Sequence, residues 1–144
     1  MTNTKTCPFC TLDDSRIIRA NTYAMAIFDG FPVSPGHTLI IPKRHMVSLF
    51  DATGEEHMAL FDLLAEMRHL LLDPTQSPIP QMSGLQLPDG FNIGINDGEA
   101  AGQTVMHLHI HLIPRYAGDQ PDPRGGVRWI FPDKAPYWKT QDNS

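Results

Sequence analysis

A chain of 144 residues, 41% hydrophobic and 19% charged, is long enough for one domain with a real core. A formal charge of −5 and a pI near 5.7 exclude a general nucleic-acid binder, which carries a basic excess. No run approaches the ~20 apolar residues of a membrane span, and the polar residues 1–5 have no apolar segment behind them, so a cytoplasmic protein with no membrane partner is expected.

The two cysteines come first, as Cys7-Pro8-Phe9-Cys10. In a reducing compartment C-x-x-C suggests a metal knuckle or a redox pair rather than a structural disulfide. A thioredoxin-type pair should follow a strand and open a helix, and no strand precedes this one, which favours metal. Two thiolates do not complete a tetrahedral zinc site, so two further ligands, histidines by the obvious supply, must come from elsewhere.

Residues 16–20 and 23–28 read as two short strands joined near Asn21-Thr22. Residues 29–36 form a Gly- and Pro-rich loop, and residues 37–42 a third, buried strand that ends at Lys43-Arg44-His45. Thr53 as N-cap with Glu56 at the third helical position makes a capping box, so a helix is predicted from there to Leu72. Leu60, Leu63, Leu64, Met67, Leu70 and Leu71 recur in steps of three and four and give it a core face. Asp73-Pro74 ends it. His57 and His69 read as surface residues without a role. Residues 74–89 form a loop, 91–96 a fourth strand, and 97–103 a glycine-punctuated loop leading into the most informative stretch of the chain.

That stretch, residues 106–115, reads M-H-L-H-I-H-L-I-P-R. Strict alternation marks a half-buried strand, with His107, His109 and His111 on one face and Leu108, Ile110 and Leu112 on the other. Same-face neighbours stand about 6.5–7 Å apart, so two adjacent imidazoles can serve one reacting centre while the third does something else. A purely structural strand and a histidine-rich metal site are the competing readings. Cupin-like sites also use H-x-H, but with a glutamate soon after, and the next acidic residue here is Asp119. The tail, from about residue 116 to 144, holds enough apolar side chains to be packed, on the same subunit or on a partner.

Together these residues resemble the histidine-triad, or HIT, family. The likeness rests on His107-Leu-His109-Ile-His111-Leu-Ile, on Cys7-x-x-Cys10, and on Phe28-Asp29 before the proline loop. It also rests on Gly36-His37-Thr38 with Ile41-Pro42-Lys43-Arg44-His45, on Asn96, on Gly102-Gln103-Thr104-Val105 and on Ile113-Pro114-Arg115. Pro123-Arg124-Gly125-Gly126-Val127-Arg128 looks like the bacterial dinucleoside-polyphosphate-hydrolase-like branch. The resemblance implies a single α+β domain over residues 1–144, an antiparallel sheet with one long helix and short helices, and a homodimer. It implies hydrolysis or transfer at the α-phosphate of a nucleotide, an adenine nucleotide by expectation, with dinucleoside polyphosphates or nucleoside phosphoramidates as substrates. His111 stands where related uridylyltransferases carry glutamine, which leans toward a hydrolase.

By the same resemblance His109 is the nucleophile, forming a nucleotidyl-histidine. A neutral imidazole suits that attack because its pKa lies near 6.5. His111 hydrogen-bonds the phosphate and leaving-group side, with Gln103 and Thr104 as further donors. Asn96 contacts phosphate or sugar, Asp29 accepts from the ribose hydroxyls, and Phe28 with Ile27 lines the base pocket. Cys7, Cys10, His45 and His107 form a closed, structural zinc site. His37 is expected near the phosphate or in the core. The alternative is a nucleotide-binding scaffold with little activity, and a more distant one a redox or zinc-buffering protein built on the cysteines.

Overall fold

The computed structural model describes residues 4–79 and 86–140. Five strands form one antiparallel sheet: β1 (Ile17–Ala20), β2 (Ala24–Phe28), β3 (Thr38–Pro42), β4 (Gly90–Gly94) and β5 (Ile110–Arg115). Their order across the sheet is β1-β2-β3-β5-β4, which places β5 in the interior beside β3 and leaves β4 at an edge. The fold is the α+β architecture that was expected, an antiparallel sheet with one long helix and short helices.

The long helix α1 spans Gly54–Leu72. Thr53 Oγ1 accepts from the Glu56 amide and the Glu56 carboxylate accepts from the Thr53 amide, so the capping box is made in both directions. All six apolar residues of its periodic stripe are buried against one face of the sheet, with Ala24, Ala26, Ile40, Leu108, Ile110 and Leu112. The opposite sheet face carries Met25, Ile27, Leu39 and Ile41, packed with Ile17 of β1 and with Phe9 and Leu12 from the N-terminal segment.

Period-2 geometry sorts the candidate residues between these faces. Register pairs Ile27 with Leu39, Leu39 with His111, and His111 with Gly94, so these four form one row on the face away from α1. Phe28 is one residue on from Ile27 and packs against the helix-side core.

The histidine stretch departs from the expected strand. Only His111 lies in β5; His107 ends a bend and His109 lies in the short irregular stretch before the strand. The Leu108 amide donates to the Met46 carbonyl at 2.7 Å, so a loop rather than a sheet neighbour anchors this segment. The aliphatic half of the alternation holds, with Leu108, Ile110 and Leu112 all in the core. The histidines are not a solvent-facing row: His107 is fully buried and His109 is 8% exposed.

The expected loop over 74–89 is described only at residues 74–79 and 86–89; the remainder lies outside the described residues. His57 is half-buried and its Nε2 donates to the Leu49 carbonyl at 2.7 Å, so it ties α1 to the preceding turn. His69 is exposed as expected. No described helix is long and apolar enough to cross a membrane.

Candidate functional site

Two histidine-centred clusters meet at the entrance to β5. The first joins the N-terminal knuckle to His107. Cys7 Sγ and Cys10 Sγ each lie 3.5 Å from His107 Nδ1, and Cys10 Sγ lies 3.2 Å from His45 Nδ1. The four ligand atoms fall within 4.8 Å of one another. Zinc–sulfur and zinc–nitrogen bonds of about 2.3 and 2.05 Å, meeting tetrahedrally, set a sulfur–nitrogen edge of roughly 3.5 Å. The cluster therefore has the size of a Cys₂His₂ zinc site. His107 Nε2 donates to the Pro42 carbonyl at 2.8 Å, which leaves Nδ1 as the lone-pair nitrogen facing the sulfurs. Burial pushes the His107 pKa down, which keeps the imidazole neutral and fit to ligate. Without an ion, partial desolvation and the neighbouring Cys7 raise the Cys10 thiol to about 11.

An ion pair positions His45. Arg44 grips Glu56 through Nε at 3.0 Å and Nη2 at 2.8 Å, a two-pronged contact from the segment after β3 to the first turn of α1. The Arg44 guanidinium, aided by the Thr53 amide, holds the Glu56 carboxyl down at about 2.

His109 is the hinge between the clusters. Its Nδ1 donates to the His107 carbonyl at 2.8 Å, so the proton is fixed there and the Nε2 lone pair is left for attack. Phe9 of the knuckle stands edge-on to His109 at 5.3 Å and to His107 at 5.7 Å. The far side of His109 meets His111, ring centroids 5.1 Å apart.

The second cluster is His111, His37 and Asp29. The Val33 amide donates to His37 Nδ1 at 3.2 Å, which puts the His37 proton on Nε2. That proton points at His111 Nδ1, 2.9 Å away, with the Asp29 carboxylate at 3.5 Å. His111 thus accepts at Nδ1 and carries its own proton on Nε2. Asp29, His37 and His111 also have ligand-type spacing. The hydrogen bonds favour a relay over an ion, because the Val33 amide uses the lone pair of Nδ1 and the proton on Nε2 blocks coordination. Burial, and then His109 and His37 nearby, push His111 down to about 4. His37 is also lowered by burial, against the pull of Asp29.

Beside this cluster a cleft of about 880 Å³ is lined by His37, His111, Asn96, Gly102 and Ile113. Asn96 thus lies in the same cleft as His111 and His37. Gln103 does not offer free donors: its Oε1 accepts from the Gly98 amide, and its Nε2 donates to the Val47 and Val105 carbonyls. It braces the glycine loop from a buried position. Thr104 is exposed and lies on the knuckle side, near Cys7 and His45. Asp29 Oδ1 accepts from the Phe31 amide and shapes the turn, while Oδ2 faces His37. Sequence reasoning left the acceptor for His109 unnamed and left the partner of His37 unseen. Both are backbone groups, His107 carbonyl and Val33 amide, which no residue identity announces.

A family model described as HIT domain matches residues 12–118. The chain belongs to the HIT family. It is 38% identical over 117 residues to an uncharacterized HIT-like protein of Mycoplasma genitalium, covering 78% of this chain and 75% of that protein. A zinc-bound histidine triad family protein from Mycobacterium smegmatis matches in structure with a TM-score of 0.60 and 32% identity, over 96% of this chain and 99% of that one. A diadenosine triphosphate hydrolase from Plasmodium falciparum, solved with cyclomarin A, matches with a TM-score of 0.63 and 25% identity, over 92% and 79%. Membership in this family, with hydrolytic relatives in it, supports nucleotide chemistry for this HIT protein, and the Cys7–Cys10–His45–His107 cluster is compatible with zinc.

Proposed function

We propose that this chain is a nucleotide hydrolase that attacks an α-phosphate with His109. The observation that carries the reading is the tautomer: His109 Nδ1–H is spent on the His107 carbonyl, so the lone pair sits on Nε2 beside His111. In the first step a bond forms from His109 Nε2 to phosphorus and the bond from phosphorus to the leaving atom breaks. In the second, a water oxygen replaces His109 and the nucleoside monophosphate departs. The proton lost by that water balances the proton taken up by the leaving group.

His111 Nε2–H donates to the phosphoryl and leaving-group oxygens as charge builds there. Asn96, which lines the same cleft, adds a side-chain amide. Asp29 accepts from the ribose, its Oδ2 lying beside His37. Cys7, Cys10, His45 and His107 would hold zinc, which supplies a structural crosslink from the N-terminus to the segment carrying His109. The expected homodimer belongs to the same reading; the open edge of β4, with Ile93 46% exposed, supports it.

The test is turnover of diadenosine tetraphosphate and adenosine 5′-phosphoramidate by wild type and His109→Ala. Release of AMP by the wild type alone, with a phosphorylated imidazole trapped on His109, supports the reading. Nucleotide binding without cleavage, or an active His109→Ala, overturns it.

A further inference from the structure

The segment that carries the two cysteines also carries a ring. Phe9 sits between Cys7 and Cys10 in a turn that the Thr11 amide and hydroxyl close on the Cys7 carbonyl, at 3.1 and 2.9 Å. Both sulfurs lie 3.5 Å from His107 Nδ1, so the turn is seated on the residue two before His109. Phe9 is half-buried and packs with Met25, Ile27, Leu39 and Ile41 on the sheet face away from α1.

The same ring meets the histidines. Its centroid stands 5.3 Å from that of His109 at an interplanar angle of 72°, and 5.7 Å from that of His107 at 85°. Both are edge-to-face contacts, an arrangement that aromatic pairs favour. The bond that fixes the His109 tautomer runs from Nδ1–H to the His107 carbonyl at 2.8 Å. It does not by itself stop the imidazole from turning about its own side-chain torsions. Turned off that carbonyl, Nδ1 loses its acceptor, and the proton can settle on Nε2, the nitrogen that attack needs bare. Packing must therefore hold the imidazole in place, and the rings that meet it are His111, at 5.1 Å, and Phe9.

We propose that Phe9 is a positioning residue for His109: it keeps the imidazole over the His107 carbonyl, and through it the Cys7–Cys10 turn sets the tautomer of the nucleophile. This role rests on the attack by His109 proposed above. Phe9 is carried between two residues that would ligate zinc, so a change at the cysteines moves the ring with them. The knuckle then acts as a brace whose tip touches the reacting imidazole, as well as a crosslink.

The experiment is nitrogen-15 NMR of the imidazoles in wild type, Phe9→Ala and Phe9→Leu, each loaded with zinc, at a pH above the imidazole range. Zinc content and circular dichroism verify that each variant is loaded and folded. In the wild type His109 should show a protonated Nδ1 and a bare Nε2. Phe9→Ala should shift it toward a mixture with the proton on Nε2. It should also lower kcat on the better test substrate by roughly 10²-fold, the scale of a misplaced reacting group. Phe9→Leu, which refills the space, should recover most of both. Chelation of the wild type should move the His109 signals in the same direction, and in Phe9→Ala it should move them no further. An unchanged His109 tautomer in Phe9→Ala, or a further shift on chelating that variant, overturns the inference. So does loss of zinc from Phe9→Ala, which would make the ring part of the metal site alone. If Phe9→Ala does not fold, the chelated wild type decides, and His109 signals unmoved by chelation overturn the inference. If the wild type cleaves neither substrate, the proposed reaction fails, while the tautomer still reports whether Phe9 positions His109.

Discussion

His37 Nε2 stands 2.9 Å from His111 Nδ1, and the Val33 amide at the far nitrogen of His37 fixes the direction of that hydrogen bond. His111 is thereby held with a proton on Nε2, the form that donates into the cleft. His37→Phe keeps a ring of similar size and removes the donor. It is expected to lower kcat by roughly 10²-fold while KM changes little, because the lost interaction strengthens only as charge develops. Steady-state kinetics on the better of the two test substrates checks this. An equal loss in KM would place His37 in substrate binding instead.

The same burial gives a pH dependence of stability. His111 is depressed to about 4 and His37 is also lowered, whereas both titrate near 6.5 once unfolded. Between those values the unfolded chain binds more protons, so stability is complete above about pH 6.5 and falls as the pH drops toward 4. The slope is at most about 1.4 kcal/mol per pH unit for His111, reduced by solvent screening. Urea midpoints at pH 7 and pH 5 should show the fall, and His37→Asn/His111→Asn should flatten it. An unchanged slope in the double variant would assign the pH dependence to other groups.

What could be read in advance followed from periodicity and from motif spacing. The stripe from Leu60 to Leu71 and the Thr53–Glu56 box mark a helix because both are local rules, and α1 spans Gly54–Leu72. The alternation from Leu108 to Leu112 correctly identified the buried side. It misplaced His107 and His109 because a segment bonded to a loop carbonyl at Met46 can alternate without a sheet neighbour. Ile27 and Phe28 were read together, yet as successive strand residues they fall on opposite faces of the sheet. Gln103 was read as a donor because its type donates, but its partners lie far along the chain at Val47 and across the loop at Gly98. That the tail packs was legible in its apolar residues; where it packs was not, since that depends on contacts such as the stacking of Arg124 over Trp138.

Metal content tests the knuckle. One zinc per chain is expected in the wild type, with Cys7→Ser, Cys10→Ser and His45→Ala each losing most of it. Because Cys10 stands at about 11 without an ion, binding must release thiol protons, and zinc affinity should fall as the pH is lowered. A chelator should lower the melting temperature of the wild type and leave Cys7→Ser unaffected. Unchanged zinc in Cys7→Ser would mean the ligand set is wrong.

Arg44→Ala removes the two-pronged partner of Glu56, whose side chain is 5% exposed. A destabilisation of about 1–3 kcal/mol is expected, below the full range for a buried pair because Arg44 itself is half exposed. Glu56 is held down near 2, so its contribution is complete above its unfolded value near 4.5 and is lost as the pH falls toward 2. Equal stability of wild type and Arg44→Ala at pH 7 would show that the Thr53 capping contacts suffice.

Gly36 sets the entry to His37 and tests whether the relay depends on the backbone beneath it. Its φ of +88° suits glycine, and a Cβ there would meet Ile79 Cγ1 and Cδ1 at 3.0 Å and Pro114 Cγ at 3.2 Å. Gly36→Ala therefore combines left-handed strain with overpacking, roughly 1–2 and 1–3 kcal/mol respectively. Ile79→Ala in the same chain opens space and should recover only the steric part, at the cost of its own cavity. The backbone strain remains, and His37, the next residue, should still be displaced from His111. Chemical denaturation then separates the two contributions, while kcat follows the displacement. A Gly36→Ala variant within 0.5 kcal/mol of wild type, with kcat intact, would show that the loop before β3 adapts without disturbing the pair.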